Sequence, residues 1–305
     1  MHRVHLYRTA PVVLGSWLAF LFAAALIAGF YFGCYWLVAR YASHYLIYFK
    51  VAAWIAIGLG LFTLLFNELL VKWSTGAKRV TCREDSPRLW DAVCRVKPWS
   101  AGPMPRIYLV RTAGMNAFAF GWGLPFLSAV AATTGLISRL DDDELEAVMA
   151  HEIGHIVNKD ILVSTAMAIS VMMMALTGYL LLKVGPVGSG RRRSSSSGSG
   201  GLAILVVLLV GVLLYVFGRL IGYILQLFVS RMREYAADAT SAQIMGTSQP
   251  LMSALSRISA DPYVTGGDME AAFGFLCTVD PDETDLMSTH PALSKRLAAL
   301  RRLES

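Results

Sequence analysis

Apolar positions are distributed unevenly along this chain. Val12 to Ala39, Val51 to Leu70, Ile161 to Val184 and Leu202 to about Ile221 are four nearly unbroken apolar runs, and mixed, ordinary sequence separates the second from the third and follows the fourth. A helix rises about 1.5 Å per residue and the hydrocarbon core of a bilayer is about 30 Å thick, so each run is long enough for one span. The first run exceeds the core length of a signal peptide and lacks a clear cleavage site, which reads as a retained span. The pattern divides the chain into two N-terminal spans (1–71), a first folded segment (72–160), two further spans (161–230) and a second folded segment (231–305). GPVGSGRRRSSSSGSGG, between the third and fourth runs, has the Gly and Ser content of a solvated loop.

Within the first folded segment the periodicity changes twice. PRIYLVRTAGMNAFAFGWGLPFLSAVAATTGLI reads as strands broken by Gly and Pro turns. The following LDDDELEAVMAHEIGHIVNKD spaces Leu145, Val148, Met149, Ile153 and Ile156 as one face of a helix. Asp141 is the expected N-cap, with Glu144 completing a capping box. The fold class is therefore mainly α with a small β-sheet and about four transmembrane helices.

Composition supports a membrane protein: 55% of the 305 residues are apolar and 16% charged. The net charge of +6 comes mainly from Lys and Arg beside the apolar runs, and no basic and aromatic nucleic-acid motif appears. We expect a lipid bilayer and no nucleic acid as partners. Arg3, Arg8, Lys72, Lys78, Arg79, Arg83, Arg231 and Arg233 outnumber the basic residues on the opposite side, Arg40, Lys50, Lys183 and Arg191 to Arg193. That bias places the N-terminus and both folded segments in the cytoplasm, against the pull of the Arg191 to Arg193 cluster. Cys34, Cys82, Cys94 and Cys277 have neither CxxC nor zinc-ribbon spacing and read as reduced thiols. Glu68 and Arg219 fall at a similar depth within their runs, and an ion pair between them is expected.

The chemistry centres on HEIGH. His151 and His155, four residues apart on a helix, project from one face within reach of one ion, with Glu152 rotated about 100° to flank it as a general base. Catalytic zinc usually has three protein ligands, so a third is needed. Glu234 in SRMREYAADAT is the best candidate, with Asp238 one turn later placed to hold a ligand imidazole. Two apolar runs separate His155 from Glu234, so the chain returns to the side it left.

HEIGHIVNKD, the NAFAFG of Asn116 to Gly121, SRMREYAADA and STHPALSKR from Ser288 to Arg296 together resemble the HtpX-type membrane metallopeptidases of the bacterial inner membrane. More distantly they resemble the prenyl-protein (CAAX) proteases, within the gluzincins. The likeness runs in order over about residues 70 to 305. It implies one zinc ion per chain held by His151, His155 and Glu234, with Glu152 as the base and Asp238 behind the ligands. It also implies that His290 stabilises the oxyanion, that NAFAFG is an edge strand to which substrate adds, and that Asn116 holds the peptide. Phe120 stands where the family pattern carries a small polar residue. A binding mode that reads main chain suits unfolded or misfolded protein substrates. The expected function is membrane protein quality control; a prenyl-type processing protease and a non-catalytic metal-binding scaffold are the alternatives. An intact Glu152 argues against the scaffold, because a purely structural site needs ligands but no base.

Overall fold

The structure, a computed structural model, describes residues 6–96, 103–122, 124–189, 199–260 and 291–304. Among the described residues, four helices are long and apolar enough to cross a membrane: Thr9–Tyr41, Ser43–Thr75, Asp160–Lys183 and Gly201–Met245. They lie in helices α1 (Leu6–Tyr41), α2 (Leu46–Thr75), α6 (Asp160–Ser189), and the continuous run of α7 (Ser199–Val216), a π turn (Phe217–Ile221) and α8 (Gly222–Met245). The helix that begins with the fourth apolar run continues past Ile221. SRMREYAADAT has no Gly or Pro to break the helix, which continues until Gly246 adopts φ +71.

The chain forms two compact units, with boundaries inside α1, α2, α6 and α8. One comprises 20–63 and 164–226. Here α6 and α7 approach closely through small residues: a Cβ on Gly178 would lie 2.4 Å from the Tyr215 backbone nitrogen. Tyr31 and Thr177 share a hydrogen bond of 3.1 Å, which satisfies two hydroxyls among apolar neighbours.

The other unit, 1–19, 64–163 and 227–305, carries the sheet and the candidate site. Strands β1 (Lys78–Val80), β2 (Arg106–Val110), β3 (Ala117–Gly121) and β4 (Ser128–Thr133) are ordered β1-β2-β4-β3, so β3 is an edge, as NAFAFG was expected to be. β2 and β4 run parallel, and β1 and β3 pair antiparallel to their neighbours. Strand β1 was not foreseen; three residues with a burial pattern of two exposed and one buried are too short for a period-two signal. Phe118 and Phe120 pack with Tyr108 on one face of the sheet, while Ala117 and Ala119 face the helical core containing α5 (Asp142–Val157). Small side chains there let the helix lie close to the strand.

Helices α3 (Pro87–Val96), α4 (Thr134–Arg139), α9 (Gln249–Ser259) and α10 (Leu293–Glu304) complete this unit. Leu145, Val148, Met149, Ile153 and Ile156 are all buried, as their spacing predicted. The capping box is also present: Asp141 Oδ1 accepts from the Glu144 amide at 2.8 Å, and Glu144 Oε2 accepts from the Asp141 amide at 3.0 Å. Glu144 Oε1 additionally accepts from Ser253 Oγ at 2.5 Å, tying the start of α5 to α9. Asp141→Ala should lower unfolding stability by about 1 kcal/mol, the usual value of an N-cap. Denaturant unfolding of the purified protein checks this, and an unchanged midpoint would refute the cap's contribution.

Glu68, expected from sequence to pair with Arg219, finds partners within its own unit. It accepts a hydrogen bond from the Tyr108 hydroxyl and pairs with Arg106, and Lys72 lies 4.0 Å away. The sheet thus presents a hydroxyl and a guanidinium to the end of α2 within the same unit. Burial together with the Glu68 carboxylate pushes the Tyr108 phenol up to about 12, so it remains a donor throughout the physiological range.

Candidate metal centre

Two helices bring the candidate ligands together. α5 carries His151, Glu152 and His155, and α8 carries Glu234 and Asp238. They pack closely because Gly154 has no side chain: a Cβ there would meet the Ala237 carbonyl oxygen at 3.2 Å and Thr240 Cβ at 3.2 Å. Ser241 Oγ donates to the Ala147 carbonyl at 2.7 Å, fixing the axial register of the pair.

The Nε2 atoms of His151 and His155 lie 3.2 Å apart. Glu234 Oε2 is 3.7 Å from the first and Oε1 3.6 Å from the second. One donor atom from each residue falls within 4.8 Å of the others, a cluster that could hold a metal ion. The opposite ring nitrogens face carboxylates: His151 Nδ1 is 3.0 Å from Asp238 Oδ1, and His155 Nδ1 is 2.6 Å from Asp160 Oδ2. Each carboxylate draws the ring proton to Nδ1, which turns both Nε2 lone pairs inward. Two lone pairs 3.2 Å apart repel unless a cation lies between them. The separations also match zinc, whose tetrahedral bonds of about 2.0–2.2 Å put neighbouring ligand atoms about 3.3 Å apart.

A proton can partly serve when no ion is bound. Burial alone would lower the basicity of His155, but the hydrogen bond to Asp160 and the charges of Glu234, Asp160 and Glu152 outweigh it and push the imidazole up to about 9. Metal uptake at neutral pH must therefore displace a proton. Glu152 is 3% exposed, and burial pushes its carboxyl above the usual range even though His151, His155 and a hydrogen bond from the Ala119 amide draw it back. A carboxyl group moved toward neutrality is suited to exchanging protons near pH 7.

A further set of charged residues surrounds these. Asp160 pairs with Arg233, which is 2% exposed, donates to the Asn158 carbonyl and to Ser16 Oγ, and lies over the Trp17 ring at 4.5 Å. Arg296, 1% exposed, forks onto Asp238 at 2.9 and 2.6 Å and approaches Glu234 at 3.4 Å, with these anions holding its proton more firmly than usual. From sequence, Asp160 and Arg296 had no part in the site and Arg233 entered only the charge bias, although all three stand inside the quoted motifs. Asp160 reaches His155 because Lys159 adopts φ 59, which turns the chain between α5 and α6; nothing in its residue type announces that bend.

Of the residues named from sequence, His151, Glu152, His155, Glu234 and Asp238 converge here. Asn116 is buried at the start of β3, its amide donating to Thr133 Oγ1 and its carbonyl accepting from the Thr133 amide, both at 3.0 Å. His290 and Cys277 lie outside the described residues.

The comparisons with known proteins agree with this geometry. The family model described as Peptidase family M48 matches residues 89–304. Among curated relatives, an HtpX protease homologue from Leuconostoc citreum is 34% identical over 230 residues, covering 73% of this chain and 75% of its own length. Another from Moorella thermoacetica is 35% identical over 268 residues, covering 84% and 85%. The crystal structure of S. mikatae Ste24p shares the fold, with a TM-score of 0.52 at 19% identity; the match covers 95% of this chain and 66% of that one. Fold, site and spans together define a multi-pass membrane metallopeptidase. The chain belongs to peptidase family M48.

Proposed function

We propose that this chain is a zinc endopeptidase of the bacterial inner membrane, with its catalytic residues in the cytoplasm, that hydrolyses misfolded or damaged membrane proteins. The observation that carries the reading is the convergence of two inward-facing Nε2 atoms and the Glu234 carboxylate beside a buried Glu152, itself hydrogen-bonded to the edge strand β3. His151, His155 and Glu234 would hold the ion, with Asp238 and Asp160 fixing the two rings. Zinc in that place supplies a Lewis acid that polarises a carbonyl and makes water a competent nucleophile near neutral pH. Glu152 takes the proton from the attacking water and passes it to the departing amine. Asn116 holds the peptide, and His290 stabilises the developing oxyanion. Strand β3 binds the substrate main chain by adding it to the sheet, a mode available to any extended segment and therefore suited to unfolded ones.

Metal removal tests this. Treatment of the detergent-solubilised protein with a chelator should abolish cleavage of casein, and one equivalent of zinc per chain should restore it. Because His155 gives up a proton on binding, zinc affinity should rise with pH until about 9, which titration calorimetry in buffers of different ionisation enthalpy reads directly. Full activity after complete zinc removal would refute the proposal.

A further inference from the structure

Near the C-terminal end of α2, two polar residues interrupt an apolar run, and both serve the sheet. Glu68 engages Tyr108 and Arg106, and Arg106 Nη2 also donates to the Leu127 carbonyl at 3.0 Å, at the turn between β3 and β4. Beside it, Asn67 Oδ1 accepts a hydrogen bond of 2.8 Å from the amide of Gly121, the last residue of β3. The two interactions fix this end of α2 against the end of the edge strand.

Strand parity tells which side of β3 that amide faces. The Trp122 amide donates to the Leu127 carbonyl at 3.2 Å and the Thr133 amide to the Asn116 carbonyl at 3.0 Å, so even-numbered residues of this segment point toward β4. A period of two then directs the amides of Ala117, Ala119 and Gly121 toward the side of β3 away from β4. The Ala119 amide meeting Glu152 agrees with this parity, as does the Gly121 amide meeting Asn67. A peptide adding to β3 would place one of its carbonyls on each outward amide. At Ala119 the acceptor is the carboxylate of Glu152, the proposed base, which turns to the attacking water in the reaction; at Gly121 it is the carboxamide oxygen of Asn67, which has no such second task and keeps that place.

We infer that Asn67 is a specificity-determining residue that ends the peptide-binding edge at Ala119 on the side facing α2. This rests on the proposed endopeptidase reading, in which substrate pairs with β3. Since Ala119 is the strand residue that meets Glu152, the scissile bond lies near it. On one side of the cut, the peptide residue that would pair with Gly121, two positions beyond the one opposite Ala119, receives no main-chain hydrogen bond. Extension of a substrate past that point on that side adds nothing to recognition, while extension on the other side is not limited by Asn67.

The test uses the full-length, zinc-loaded protein in detergent with blocked synthetic peptides lengthened one residue at a time at either end. For the wild type, kcat/KM should stop rising at one end once the residue opposite Ala119 is filled. Asn67→Ala should raise the ratio of kcat/KM for the next longer pair of peptides by roughly two- to tenfold at that end alone, the contribution of one main-chain hydrogen bond. Asn67→Asp, which keeps an acceptor oxygen, should retain the wild-type ratio. A wild-type rate that keeps climbing with length at both ends overturns the inference whether or not the variants fold, as does an Asn67→Ala ratio equal to the wild type. Failure of the wild type to cleave any peptide would count against the endopeptidase reading itself.

Discussion

Glu152→Gln should lower kcat for casein or peptide hydrolysis by about 100- to 10,000-fold, the range associated with removing a positioned general base, while the protein keeps its metal. The glutamine carboxamide has nearly the same shape and retains an oxygen that can accept from the Ala119 amide, so the geometry of the edge strand is preserved. It cannot take a proton. Burial already disfavours the charged carboxylate at this position, and the neutral replacement should leave the melting temperature no lower than that of the wild type. Metal analysis and kinetics on one preparation decide the matter: near-wild-type turnover with metal retained would remove Glu152 from the chemistry, and loss of metal would make it a structural residue instead.

The second large effect concerns Arg296. Its guanidinium is the buried cation that faces Asp238 and Glu234, and it reaches them from α10, near the C-terminal end of the chain. Arg296→Met fills a similar volume but leaves two buried carboxylates without that counter-charge. The metal-free protein should lose about 3–5 kcal/mol of stability, the cost of breaking a buried ion pair on one side only. Zinc should recover a part of this, because its charge would face the same carboxylates. Arg296→Lys should fall between the two, since an ammonium cannot make both hydrogen bonds of the fork. Unfolding curves with and without zinc measure each step, and a metal-free Arg296→Met protein within about 1 kcal/mol of wild type would overturn the assignment.

Much of the site was legible before the structure because its chemistry is encoded in short helical spacings. His151 and His155 are one turn apart, as are Glu234 and Asp238, and the long apolar runs make their return to the same side a matter of counting. The Asp141 and Glu144 capping box is equally local. What could not be read depends on tertiary packing. Asp160 and Arg296 serve His155 and Asp238 through a bend at Lys159 and through the docking of α10, neither of which has a periodic signature. Glu68 was recognised as anomalous, yet its partners come from strand β2, whose Arg106 and Tyr108 lie closer in the folded chain than depth in a span can show. That the helix carrying Glu234 and Asp238 continues the fourth span without a break was not legible, for a different reason. Apolarity marks where lipid ends, whereas a helix stops only where a residue such as Gly246 stops it.

The insertion of α6 and α7 between the two histidines and Glu234 also sets the order in which activity can arise during synthesis. A nascent chain that has just completed α5 bears the two imidazoles and the Glu152 carboxyl but lacks Glu234, which is translated only after both intervening helices. At roughly 5–20 residues per second this interval lasts several seconds. Arg296 follows later still. The candidate metal centre is in this way assembled only once segments on both sides of the α6 and α7 insertion have been made.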